Sequence, residues 1–462
     1  MKRLVHELNM KTIFKSVDGC IVAPKGFRAA GVFCDIKRLG TGKGSEKGKK
    51  RDLALITSEL PASVAGLFTT NQVCAAPVKV CIERVKKRTA RAIVVNSGNA
   101  NACTGRQGMA DALEMVRFTE RSLNLPAGSV LAGSTGRIGV TLPMDNVRAG
   151  IVEAVLQLGS TPAHASRAAE AIITSDTHSK QIAVEFKLGG KTVRMGGICK
   201  GAGMIQPGMS STGRRPAAMP LHATMLCFIT TDAAIGPNAL QAALNEAVAL
   251  SFNRITVDGD MSTNDTVLVL ANGLAGNPLL VGRASSRAGS SGASPHRNIA
   301  AFQSALNHVC LELAKMIVRD GEGVSRFVTV RVKGAKSVAH ADAAARAVAN
   351  SALVKTSWHG GDPNWGRIID ALGYSAATVV EEKVDIGYGT PGSRTILWSV
   401  KRGQPTRATF KQLCAAVAPK EFDLHINLNL GKAGSLMYAA DLTEEYVDFN
   451  KGDVSNPDSL GG

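Results

Sequence analysis

The residues that first raise chemistry are Ala223 and Thr224, in the stretch LHATMLCFITTDAAI at 221–235. A β-branched threonine opening a buried strand is the ordinary reading of such a position. The other reading is a nucleophile, because a hydroxyl can carry an acyl group once a base activates it. Two Gly and Asn-rich turns bear on that choice, VVNSGNANACTG at 94–105 and LAGSTGRIGVTLP at 131–143. Turns of this kind present backbone N–H groups that can hold an anion or a developing oxyanion, and they also serve as plain tight turns. DGEG at 320–323 places Glu322 between two glycines, where a carboxylate could meet a substrate amine or remain a solvated loop acid.

Other groupings carry less. In FNRITVDGDMSTND, 252–265, the oxygens of Asp258, Asp260, Asn264 and Asp265 lack EF-hand spacing, and the segment reads as a hydrogen-bonded turn. LGTGKGS at 39–45 lacks P-loop spacing, no HExxH or GxSxG occurs, and the cysteines form no CxxC pair or zinc-ligand cluster. No metal site and no disulfide framework is expected. Cys227 lies an odd number of residues from Thr224, so on a strand it faces the other way and reads as a buried structural thiol.

These residues must be positioned by a large core. The chain has 462 residues, 45% of them apolar, enough for two lobes or one large layered domain. Strands are predicted over 91–96, 224–231 and 266–273, and helices over 106–123, 237–252 and 341–356, giving a mixed α/β chain. Three polar, turn-rich stretches, at about 37–51, 210–220 and 282–297, read as inserted surface loops. They bear on charge: the formal net charge is +17, and residues 37–51 alone hold seven Lys or Arg against Glu46. Basic residues in such loops are expected to be solvated, and with aromatics at only 4% the composition argues against nucleic-acid binding. No apolar run is long enough to span a membrane. Residues 1–19 form a basic N-terminal tail without a secretory h-region, which leaves a mitochondrial targeting segment or a plain cytoplasmic tail.

Ten segments in order make a stronger pattern: APKGFRAAGVFCDIK, GLFTTNQVCAAPVKVC, VVNSGNANACTG, GSTGRIG, KGAGMIQP, HATMLCFITTDA, FNRITVDGDMSTNDT, DGEG, DPNWGRI and DLTEEYV. Through them the chain resembles, over about 20–455, the ornithine acetyltransferase family, the bifunctional glutamate N-acetyltransferases of the arginine pathway. The resemblance implies a layered α/β/β/α sandwich of the self-cleaving, N-terminal-threonine kind, with two lobes. It implies a precursor cut between Ala223 and Thr224, leaving an α chain at 20–223 and a β chain at 224–462 that remain associated, as an α2β2 assembly.

Carried over by position, Thr224 is the nucleophile and Thr135 and Gly136 form the oxyanion hole. Substrate contacts fall on Thr177, Lys200, Thr224, Glu322, Asn450 and Ser455, the last standing where the family usually has threonine. The segment before the cut is longer than the family usually has. The implied activity is acetyl transfer from N2-acetylornithine to glutamate through an acetyl-Thr224 enzyme. No resident cofactor is implied, and acetyl-CoA enters only as an alternative donor. A related self-cleaving fold supports aminopeptidases, which makes a hydrolase the nearest rival reading; an RNA-binding protein using the basic loops is a distant one.

Overall fold

The computed structural model describes residues 14–37, 50–214, 225–281 and 294–451. The predicted cut at Ala223/Thr224, the contact at Ser455, residues 1–13 of the tail and residues 38–49, 215–220 and 282–293 of the three predicted insertions lie outside the described residues. Two compact units emerge, one of residues 13–253, 260–317 and 450–462, the other of 1–12, 254–259 and 318–449. The predicted boundary at 223/224 concerns cleavage, and the units divide the chain differently: 225–253 and 260–317 belong with the N-terminal half.

In chain order the first strands are β1 (Lys15–Ser16), β2 (Phe27–Val32), β3 (Leu53–Thr69), β4 (Thr89–Asn99), β5 (Val130–Arg137), β6 (Lys180–Leu188), β7 (Lys191–Lys200), β8 (Met209–Ser210), β9 (Leu226–Thr231), β10 (Ile255–Thr256) and β11 (Thr266–Ala271). All but β10 form one ten-stranded sheet of order β1-β6-β7-β9-β11-β3-β4-β5, with β2 and β8 also paired to β3. β9/β11 and β4/β5 are parallel. Such strands are covered on both faces, which explains why Ala92, Ile93, Val94 and Val95, and Leu226 through Ile229, read as continuous apolar runs and are all buried.

The covering helices are α1 (Ala76–Val85), α2 (Gly105–Ser122), α3 (Met144–Leu156), α4 (Pro162–Ala171), α5 (Pro237–Ala249) and α6 (Ser294–Arg319). In α2, Ala112, Met115, Val116 and Thr119 recur at helical spacing and are fully buried. Burying a side chain such as Met115 or Val116 contributes about 1.5–3 kcal/mol, so this stripe, and not helix propensity, holds α2 in place.

The second unit carries a seven-stranded sheet of order β10-β17-β12-β16-β13-β14-β15, made of β10 with β12 (Phe327–Ala335), β13 (Asp385–Gly389), β14 (Leu397–Lys401), β15 (Gln404–Pro405), β16 (Glu421–Asn427) and β17 (Ala433–Ala440). Its helices are α7 (Val338–Asn350), α8 (Ala352–His359), α9 (Trp365–Gly373), α10 (Phe410–Val417) and α11 (Glu444–Phe449). The mixed α/β class thus appears in both units, each with its own sheet and helices.

Local detail departs from the sequence reading in four places. The helix predicted over 341–356 is two helices, because Ser351 turns extended (ψ 115°) and its hydroxyl accepts from Val354 N at 3.3 Å, capping α8. The helix predicted to end at 252 stops at Ala249. Residues 294–297 of the third predicted insertion belong to α6. The tail is not wholly detached either, since β1 pairs with β6.

Candidate active site

Thr135 and Gly136 sit near the end of β5, opposite Ser97 and Gly98 of β4, where the ladder register breaks between Gly98 and Asn99. Gly136 has φ +128°, and a Cβ there would lie 2.4 Å from the Gly98 carbonyl carbon and 2.6 Å from Asn99 N. Only glycine lets the ends of the two strands approach so closely. Buried amides then fix the turns to each other. Asn99 Nδ2 donates to the carbonyls of Val140 and Thr141, both at 3.0 Å, and Ser134 Oγ donates to Asn96 Oδ1 at 2.6 Å.

Asn264 completes this framework. Its Nδ2 donates to Ala100 O at 2.7 Å and to Ser134 O, the carbonyl just before Thr135, at 2.8 Å, while Thr263 Oγ1 donates to its Oδ1 at 2.5 Å. The next residue, Asp265, is fully buried and its Oδ1 accepts the backbone N–H of Met225. Met225 is the first described residue after Thr224, and its carbonyl accepts from Thr266 N at 3.0 Å. Through the adjacent residues Asp265 and Asn264, the entry of β9 is therefore linked by hydrogen bonds to Ser134, next to Thr135. The segment 252–265 was expected to be a hydrogen-bonded turn, and its last residues are more than that: a strut between strands. Asn264→Ala is expected to leave two buried carbonyls unpaired, at about 1–3 kcal/mol each, which a lowered urea midpoint would reveal. An unchanged midpoint would mean water or a local shift replaces both bonds.

Lys200 closes β7 and lies opposite Leu226, at the start of β9. It is buried beside Asp176, the residue before the predicted contact Thr177. Burial alone would raise the Asp176 carboxyl, but the Lys180 and Lys200 ammoniums and the Gly201 amide more than offset that and hold it well below the usual carboxylate range. Thr177 itself is exposed, with Oγ1 3.0 Å from His178 Nδ1.

Lys37 corrects the picture of a wholly solvated basic loop. It is only 7% exposed, donates from Nζ to Arg51 O at 2.6 Å, and packs where a Cβ on Gly98 would meet its Cα at 2.9 Å. Burial lowers its ammonium to about 8, against the partial support of Asp52. Lys37 is carried inward because the buried Asp52 carboxylate accepts from the amides of Cys34, Ile36 and Lys37 and folds the start of the segment against the core. Cys227 is fully buried, and burial pushes its thiol well above the ordinary value, as suits a structural role.

Glu322 is half-buried, in the loop that follows α6. Gly323 (φ +64°) packs so closely on α11 that a Cβ would lie 2.3 Å from Tyr446 N. Thr443 Oγ1 donates to Gly323 O at 2.7 Å and accepts from Tyr446 N at 3.1 Å, so one hydroxyl joins the Glu322 loop to the start of α11. That helix ends one residue before Asn450, which is exposed.

The larger unit thus joins Thr135, Gly136, Lys200 and the entry of β9, while Glu322 is set by the C-terminal helix of the other. Sequence reasoning missed Asp176, Lys180 and Thr443. Asp176 stood beside a matched threonine and Thr443 within the matched DLTEEYV segment, which were usable signals; nothing local marked Lys180.

Relatives place the whole chain. The model of the ArgJ family matches residues 28–452. The arginine biosynthesis bifunctional protein ArgJ of Symbiobacterium thermophilum is 44% identical over 432 residues, covering 94% of this chain and 98% of that protein. The glutamate N-acetyltransferase of Methanocaldococcus jannaschii is 43% identical over 439 residues, with 94% and 98% covered. The crystal structure of ornithine acetyltransferase complexed with ornithine, from Mycobacterium tuberculosis, is 37% identical, covers 43% of this chain and 100% of that one, and superposes with a TM-score of 0.38. A match over nearly the full length, by the family model and by relatives above 40% identity, means that this chain belongs to the ArgJ family.

Proposed function

We propose that this chain is a glutamate N-acetyltransferase of arginine biosynthesis that moves acetyl from N2-acetylornithine to glutamate after cutting itself before Thr224. The observation that carries the reading is the hydrogen-bonded path from Met225 through Asp265 and Asn264 to Ser134, next to Thr135. It links Met225, the residue after the proposed nucleophile, to Ser134, the residue before Thr135, which supports the reading.

A threonine hydroxyl needs a base, and cutting before Thr224 creates one in the residue's own α-amine. Such amines titrate at about 7.7–8.0, so a useful fraction is neutral at physiological pH. In the first half-reaction Thr224 Oγ attacks the acetyl carbonyl, Thr135 and Gly136 hold the oxyanion, and the C–N bond breaks. The hydroxyl proton passes through the α-amine to the departing ornithine nitrogen, leaving acetyl-Thr224. Glutamate's amine then attacks the ester and the proton returns to Thr224 Oγ, a ping-pong cycle with no resident cofactor. Lys200 takes the α-carboxylate common to both substrates, and Glu322 the side-chain ammonium of ornithine. Thr177, Asn450 and Ser455 are assigned the remaining polar contacts.

The cut chains are proposed to stay together as α2β2. The relatives named above are bacterial and archaeal, and a cytoplasmic setting is the reading that fits them. No helix among the described residues is long and apolar enough to cross a membrane.

The test is acetyl transfer from N-acetylornithine to glutamate, run with and without acetyl-CoA. Transfer from N-acetylornithine supports the reading, added transfer from acetyl-CoA makes the enzyme bifunctional, and release of acetyl to water alone would favour a hydrolase. Glu322→Gln should raise the KM for N-acetylornithine about tenfold, leaving self-cleavage intact, because it removes charge pairing and no part of the cutting machinery. Unchanged kinetics would return Glu322 to a loop acid.

A further inference from the structure

Asp176 is surrounded unequally. Its Oδ1 accepts from Lys180 Nζ at 2.6 Å and from Gly201 N at 2.7 Å, and its Oδ2 accepts from Thr174 N at 3.0 Å. Lys200 Nζ stays 3.9 Å from Oδ2, beyond hydrogen-bond distance. All three ionic side chains are buried, Lys180 and Asp176 completely. Interactions between charges are strong in such surroundings, and an ammonium is costly to bury unless paired. Lys180 and the Gly201 amide both engage Oδ1, so these hydrogen bonds of the carboxylate go elsewhere than to Lys200.

We propose that Lys180 is a positioning residue for substrate recognition: by drawing Asp176 to itself, it prevents Asp176 from cancelling the attraction of Lys200 for an incoming carboxylate. The inference rests on the reading of Lys200 as the anchor of the α-carboxylate shared by N-acetylornithine and glutamate. Asp176 also ties the loop bearing Thr177 to Gly201, so changing it alone would mix geometry with charge. Lys180 is the cleaner probe.

In Lys180→Met, Lys200 becomes the cation next to the Asp176 carboxylate, 3.9 Å from its Oδ2. The KM values for N-acetylornithine and for glutamate should rise together, each about 10- to 100-fold, with kcat changed less than about threefold and self-cleavage complete. Lys180→Gln, which retains a donor for Asp176 while removing the charge, should give the same pattern and serves if the methionine variant does not fold. Adding Asp176→Asn should bring both KM values back towards wild type, because it removes the competing carboxylate; a purely structural role for Lys180 would instead make the double variant worse. Lys200→Met separates the two readings. If it leaves both KM values unchanged, the anchor reading fails. If it raises both while Lys180→Met and Lys180→Gln raise neither, or if Asp176→Asn deepens the defect, the role of Lys180 is overturned and the anchor stands.

Discussion

Thr224→Ala should run as one uncut band on a denaturing gel and transfer no acetyl group. Wild type should run as two fragments of about half the chain each, with Thr224 read as the first residue of the second by N-terminal sequencing. Both losses follow from one hydroxyl, because the oxygen that attacks the Ala223 carbonyl during cutting is the one that later carries acetyl. Thr224→Ser keeps that oxygen and should perform both steps more slowly, since it loses the methyl that restricts χ1. An uncut, fully active Thr224→Ala protein would refute the mechanism.

Gly136→Ala should be the most damaging change away from the nucleophile. The substitution forces a Cβ to within 2.4 Å of the Gly98 carbonyl carbon, at a backbone φ of +128° that L residues avoid. Strained backbone of this kind costs about 1–3 kcal/mol, and the clash must in addition push β4 and β5 apart at the proposed oxyanion hole. Loss of one such donor typically lowers kcat about 10²- to 10³-fold. We expect the uncut precursor to accumulate and the fraction that matures to turn over at least a hundredfold slower than wild type, because the clash displaces the Gly136 backbone N–H from the oxyanion. Gly139→Ala is the control, because Gly139 also has a positive φ (+86°) but a Cβ there meets nothing within 4 Å. It should lose some stability and mature normally. Equal rates of maturation and turnover in wild type and Gly136→Ala would remove Gly136 from the oxyanion hole.

Much of this was legible in the chain because it depends on local order. The apolar run at 91–96 had to be a buried strand, whereas the turns read at GNAN and STG begin within the strand ends of β4 and β5, where Gly98 and Gly136 adopt φ values that few other residues tolerate. Ten family segments in sequence identified the chain without any coordinates. Residue-level roles assigned through that resemblance, at Thr224 above all, stand on chemistry and await the experiments above.

What local order could not reveal was partnership across long separations. Asn264 bonds to Ser134, 130 residues away, and Asp176 accepts from Gly201, 25 residues on; neither spacing leaves a periodic mark. The charge of Lys37 was misjudged for the same reason. Its neighbours in sequence are those of a solvated basic loop, yet Asp52 and Gly98 fold it into the interior. The break at Ser351 is an intermediate case, since a serine in a helical pattern either caps or continues, and packing chose the cap. The sequence by itself therefore determined the class of fold, the family and which residue types were available for chemistry, because propensity, glycine geometry and motif order are properties of neighbouring residues. Tertiary structure alone decided which buried carboxylate faces which ammonium and which amide holds which turn, because a hydrogen bond or ion pair depends on distance in space, which strand order sets and residue order does not.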